Sequence, residues 1–450
     1  MPNLKTSNIK MLTRHKDAVW EYLGGAMWLL PAVSVVVAVG AGSALSQVQI
    51  DRDSWLHGLV FEGTADDART LLIGVAGTVI TVVALMLGLT VVALQLSSTQ
   101  FSPRILRNFL RDRQNQIVLS VFVGTFAYAM AGLYTVGVSA GQRTDDYPRL
   151  AVSGAVVLLF ASLGALVYEV HHISHSMQVD EIMRKVERGT LAVIRGLPRD
   201  VPESSPVIDT DSIAVASTHS GYIQVVHPEY VTTSIAGLRV SIDRWVGDHV
   251  TAGERLARVW SSDGTPIDLA RLTSSIVEDV VRIGFERTLE QDAAFGVRQL
   301  VDIASKALSP AVNDPYTAVQ AIDHLAVVLA ELGRTPLGPY AVHSNGGQVI
   351  VAAAGFADYL ELATAQIRRY GATEPIVGLA QIRMLDATAT SCTVDRPSRL
   401  AAICRQLDAI IEQSSLCPGR AADYEQVRDA GAALRRQLLA EGLDESVQLS

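Results

Sequence analysis

Four uncharged, mostly apolar runs constrain this chain more than any other feature: residues 22–50, 70–103, 114–142 and 150–168. Even the shortest is about as long as the ~20-residue helix that crosses ~30 Å of hydrocarbon. Only helices and closed barrels satisfy every backbone polar group in lipid. The runs are continuous rather than alternating, so they read as helices, with spans expected near 25–46, 71–96, 117–139 and 150–173. This pattern excludes a wholly soluble protein, a single-span anchor, a secreted disulfide scaffold and a disordered chain.

The charge distribution divides the chain. Residues 1–175 hold 12 of the 37 Lys and Arg and 11 of the 46 Asp and Glu; the rest follow. Lys5, Lys10, Arg14 and Lys16 precede the first run, and Arg104, Arg107, Arg111 and Arg113 lie between the second and third. The 47–70 loop is acidic instead. By the positive-inside rule both termini are expected in the cytoplasm, in a multi-pass protein of the inner membrane. No cleavable signal peptide is evident before the first run.

After the membrane domain (1–175) we expect a helical, proline-containing linker (176–211), broken by Pro198, Pro202 and Pro206. A small β-rich subdomain at 212–265 and a mainly helical domain at 266–450 follow. Alternation at Leu238, Val240 and Ile242 and the turn candidates Ser220-Gly221, Gly247-Asp248 and Gly253 carry the β reading. The stretch Val246–Leu256 resembles one strand-turn-strand unit of biotinyl- or lipoyl-carrier folds. A carrier needs a lysine at a hairpin tip, and none lies between Lys185 and Lys306. The helical pattern predicts helices near 272–288, 294–308, 315–333, 356–370, 376–388, 398–415 and 421–440, with one strand near 348–353.

Several constellations carry chemistry. Gly74, Gly77, Thr81, Ala84 and Gly88, continued by Val91 and Gln95, place a narrow stripe of small side chains down the second span. Such a stripe either lets helices pack closely or lines a pore. Arg104, Arg107 and Arg111, on an amphipathic segment, suit anionic lipid head groups or an anion vestibule. His171 and His175, one helical turn apart, are the weak candidates for a metal pair beside Glu169 and His172. Arg298, Asp302, Asn313 and Asp314 border a turn in which Asp314-Pro315 should cap a helix. The alternative there is an anion or ligand site at that helix N-terminus, with Arg298 or Lys306 as counter-charge. Glu286, Glu290, Asp292 and Asp302 are close in sequence but lack a calcium-loop pattern. Cys392, Cys404 and Cys417 form no C-x-x-C and suit a reducing compartment.

The motifs Val92-Ala93-Leu94-Gln95-Leu96, Phe101-Ser102-Pro103-Arg104, His171-His172-Ile173, Ser220-Gly221-Tyr222, Phe295-Gly296, Leu308-Ser309-Pro310 and Asn313-Asp314-Pro315 resemble those of a bacterial family of predicted membrane proteins, domain of unknown function 2254. The likeness runs over nearly the whole chain. It implies an inner-membrane protein with a cytoplasmic domain and carries over no catalytic residue.

The expected fold is thus a polytopic α-helical membrane protein of four transmembrane helices. A cytoplasmic α+β domain, with a small β-barrel-like segment and a helical region, follows. The expected partners are the lipid bilayer and further copies of the chain. The acidic balance argues against nucleic acid. There is no P-loop, dinucleotide fingerprint, Ser/His/Asp order or dense ligand motif, so neither an enzyme nor a cofactor is expected. The leading expectation is a channel or transport-related oligomer controlled by its cytoplasmic domain. The alternative is a membrane-anchored sensor or scaffold.

Overall fold

The structure, a computed structural model, describes residues 28–46, 61–100, 113–136, 149–176, 178–199, 212–231, 238–261, 268–344, 347–415 and 421–448. They fall into two units, Met1–Gln178 and Val179–Ser450.

The first unit holds α1 (Leu29–Leu45), α2 (Ala65–Gln100), α3 (Arg113–Thr135) and α4 (Arg149–Ser176). Among the described residues three stretches are long and apolar enough to cross a membrane: Ala65–Val92, Arg113–Thr135 and Arg149–Ile173. The remaining expected span, the first in the chain (25–46), corresponds to α1, a shorter apolar helix. At 1.5 Å per residue its 17 residues reach only about 25 Å, less than the ~30 Å of a hydrocarbon core. The second run is a single helix of 36 residues, so it outruns a bilayer without a break. Thr64 and Asp67 start it reciprocally: Thr64 N–H donates to Asp67 Oδ2 (2.9 Å), and Asp67 N–H to Thr64 Oγ1 (3.2 Å).

Leu72, Val75, Ala76, Val79, Val83 and Met86 recur at helical spacing and form the buried face of α2. They join a core with Val118, Phe122 and Tyr128 of α3 and Val152 and Ala155 of α4. The hydroxyls of Thr125 and Ser162 lie 2.9 Å apart, both buried, and link α3 to α4. An interhelical hydrogen bond of this kind satisfies polar groups that lipid would leave unpaired.

The second unit begins with α5 (Val179–Arg195), whose Met183, Val186, Thr190 and Ile194 make a buried stripe. Strands β1 (Ile213–Ala216), β2 (Gly221–Val226), β3 (Leu238–Ile242), β4 (His249–Val250) and β5 (Arg255–Ser261) follow. Next come α6 (Leu269–Ser275), one π turn (Ile276–Val280) and β6 (Val281–Gly284). Helices α7 (Ala293–Ala307) and α8 (Pro315–Arg334) precede β7 (Tyr340–Ser344) and β8 (Gly347–Val351). The chain then runs through α9 (Phe356–Tyr370), α10 (Pro375–Ser391), α11 (Arg396–Ser415) and α12 (Ala421–Gln448).

Two sheets form, ordered β1-β5-β3-β8-β7 and β4-β2-β6. All pairings are antiparallel except β3 with β8, which aligns Val240 with Val349 and Ile242 with Val351. Ile223, Val240, Ile242, Leu256, Val259 and Ile276 belong to one buried apolar cluster shared by both sheets.

Two sequence expectations are corrected here. The helix expected at 272–288 gives way to β6, because Val281 and Ile283 pair with Val226 and Ile223 of β2. A β-branched run with a partner edge available takes the strand, whatever its helical periodicity. The single strand expected near 348–353 is the second half of a hairpin, Tyr340 opposite Val351 and Ser344 opposite Gly347. Asn345-Gly346 between two apolar runs is the sequence signal for it. The sheets therefore draw on residues well beyond 265.

Candidate functional site

The stripe on α2 lies opposite that helix's packed face. Gly74, Gly77, Thr81, Ala84 and Gly88 are all exposed in the chain, as is Gln95. A Cβ built on Gly74, Gly77 or Gly88 would meet nothing within 4 Å. Thr81 turns its hydroxyl back to the Gly77 carbonyl at 2.8 Å, so even the polar member presents a mostly apolar surface. The 3-4-3-4 spacing is that of a seam for another helix, and among the described residues no helix packs against the glycines of the stripe.

The other sequence candidates separate. Arg104, Arg107 and Arg111 lie outside the described residues. His171 is exposed, His172 stacks on Tyr168 with centroids 6.2 Å apart, and the side chain of His175 lies outside the description. Among the described residues no three His, Cys, Asp or Glu side chains are grouped to hold a metal ion. Arg298 pairs with Asp302 one turn along α7, at 3.0 Å. Asp314 caps α8, accepting from Thr317 N (3.1 Å) and Thr317 Oγ1 (2.6 Å). These bonds hold its carboxyl below the usual range. Asn313 turns the corner at φ 51°, a left-handed conformation that asparagine tolerates.

Within the second unit the fold forms a half-open cavity of about 550 Å³. Its walls come from the C-terminal end of α5, the end of β2, the Trp245–Asp248 turn, the segment entering α7, the β7-β8 hairpin and α9. None of Arg298, Asp302, Asn313 and Asp314 lines it. From the acidic cluster noted in the sequence, Glu290 and Asp292 do.

Asp292 organises one wall. It is 3% exposed and caps α7 by accepting from Phe295 N at 2.9 Å. Burial raises its carboxyl above the ordinary value, and the Arg287 guanidinium opposes that rise. Gly247 adopts φ 97°, and a Cβ there would strike Asp292 Oδ2 and the Arg287 guanidinium. Glycine alone lets the Trp245–Asp248 turn approach the pair so closely. Asp248 Oδ2 accepts from Trp245 N (3.0 Å), and Asp358 Oδ2 from Gly355 N (2.8 Å). His227 Nδ1 lies 3.0 Å from Glu229 Oε1. Burial, with Glu229 nearby, pushes the Tyr340 phenol up to about 12. Burial also raises Tyr359, and the charges of Asp292 and Asp358 add to it. Both phenols are therefore neutral at neutral pH.

Asp248, Trp245, Arg287, Tyr340, Tyr359 and Asp358 were not legible as a group, because they come from four separate elements. The turn at Gly247-Asp248 was visible in the sequence; what it faces was not.

The comparisons agree with this architecture. The family model "Predicted membrane protein (DUF2254)" matches residues 25–387. The "Uncharacterized protein Rv1290c" of Mycobacterium tuberculosis (strain ATCC 25618 / H37Rv) is 41% identical over 415 residues, covering 89% of this chain and 78% of that protein. The "Uncharacterized protein Mb1321c" of Mycobacterium bovis (strain ATCC BAA-935 / AF2122/97) shows the same identity and coverage. No solved structure matches the chain. With three helices among the described residues able to span a bilayer and a family match over most of its length, the chain belongs to the DUF2254 family of predicted membrane proteins.

Proposed function

We propose that this protein is a channel or transport-related protein of the inner membrane, working as a homo-oligomer with α2 at the pore. Its N and C termini are cytoplasmic, α1 completes the membrane domain as a fourth span, and the second unit controls conduction. The observation that carries the reading is the outward stripe of Gly74, Gly77, Thr81, Ala84 and Gly88, set opposite the large buried side chains of the same helix. Small residues facing lipid alone gain little packing. Facing copies of themselves around an axis, they leave a water-filled path or a close seam. The lysines and arginines before the first run and between the second and third supply the orientation.

The test is flux through the purified protein in liposomes. Thr81→Leu introduces a good helix former and adds bulk, so it should lower flux while the oligomer stays intact in detergent. Ala84→Cys should make flux sensitive to a small charged thiol reagent. Loss of assembly in Thr81→Leu, with no reaction at Ala84→Cys in a conducting protein, would make the stripe a packing seam and move the pore to another span. Absence of flux through the wild-type protein would make a sensor or scaffold the better reading.

A further inference from the structure

We propose that the cavity of the second unit is a binding site for a small organic cation, an ammonium group attached to an apolar body.

The size is that of a ligand site: about 550 Å³, against roughly 300–1,000 Å³ for small-molecule pockets. The charge balance gives the sign. Arg287 is spent on Asp292 and Glu290 on Arg282, so these four cancel. Glu229, Asp248 and Asp358 remain on the lining. Glu229 hydrogen-bonds His227, while Asp248 and Asp358 cap backbone N–H groups. Among the described residues no Lys or Arg pairs with any of the three.

The cavity is thus electronegative, and a phosphate or carboxylate ligand would meet like charge. The aromatic lining completes the match. Trp245, Tyr340 and Tyr359 border the space, and aromatic faces attract ammonium groups. Val246, Val342 and Leu362, each partly exposed, offer apolar surface for the rest of the molecule. A bare metal ion would leave that surface unused.

The experiment is titration calorimetry on the full chain in detergent, with 2-phenylethylammonium, its neutral counterpart 2-phenylethanol and the anion phenylacetate. The ammonium should bind saturably, once per chain, and at least tenfold more tightly than either other probe. Asp248→Asn combined with Asp358→Asn keeps an oxygen for each backbone N–H and should weaken binding at least tenfold. Ala353→Phe, at a lining position, should abolish it by filling the space. Melting curves without ligand identify variants that remain folded. The proposal is overturned if the wild-type chain binds no ammonium saturably, or binds the alcohol or the anion as tightly. Unchanged ammonium affinity in a folded variant overturns it too. The comparison of the three probes on the wild-type chain decides the sign of the site even where a variant does not fold. Binding is read without flux, so this site and the pore fail separately.

Discussion

Arg287 and Asp292 meet at two points, Nε to Oδ2 at 2.8 Å and Nη2 to Oδ1 at 2.9 Å, on the wall of the cavity in the second unit. The same carboxylate caps α7, and the guanidinium lies 5.4 Å from the Phe295 ring centroid. Arg287→Ala would leave Asp292 buried beside no cation. Breaking one side of a buried pair costs roughly 3–5 kcal/mol, and the partial exposure of Arg287 sets the expectation near 3. Thermal unfolding of the full chain in detergent checks it.

The same pair has a pH signature. Asp292 titrates above its unfolded value, so its contribution to stability is fully present below the ordinary carboxylate range. That contribution is lost as pH rises through the folded value. Asp292→Asn keeps the capping oxygen and removes the titration. Its melting temperature should vary less than wild type on raising the pH from about 4 toward neutrality. A parallel pair of curves would refute the assignment.

Asp314 carries the opposite sign. Thr317 holds its carboxyl below the usual value, so its stabilisation is present above that value and lost as pH falls through the folded one. Asp314→Ala should cost about 1 kcal/mol, the typical worth of an N-cap. The loss should shrink in acid. Thr317→Val removes the hydroxyl partner and should move the Asp314 titration upward, measurable by carboxyl NMR.

Gly296 of α7 lies against Thr190 of α5, where a Cβ would overlap the Thr190 side chain. Gly296→Ala should destabilise by about 1–3 kcal/mol, the usual range for overpacking. Thr190→Ala should recover part of that loss. A double-mutant cycle on unfolding measures the coupling.

Topology is testable despite a complication in the native thiols. Cys392 and Cys404 are buried, and burial raises both thiols, so their silence toward an impermeant maleimide would report packing rather than sidedness. Ala357, exposed on α9, is a better reporter. Ala357→Cys should label only after permeabilisation, and Ser54→Cys in intact cells. The reverse pattern would invert the orientation.

Much of the second unit's helical order was legible from periodicity. Phe356–Tyr370 matches its expected range, because Phe356, Tyr359, Leu360, Ala363 and Ile367 repeat at helical spacing and α9 buries that stripe. Asp314-Pro315 announced α8 for a local reason as well, a cap and a proline at the first turn. The sheets were less legible. Pairing partners such as Val240 and Val349 are far apart in sequence, and no local signal fixes a parallel register.

The sequence by itself determined the apolar runs, the start of α8 and the existence of a small-residue stripe, since each depends on neighbours within a few turns of chain. Tertiary structure decided the rest. It turned the stripe of α2 away from the other described helices of the first unit, because Leu72, Val79 and Phe122 gain more by packing together than glycines do. It also drew Asp248, Tyr340 and Asp358 around one cavity. Their side chains meet only when the Trp245–Asp248 turn, the β7-β8 hairpin and α9 close on one another, and no pattern along the chain encodes that meeting.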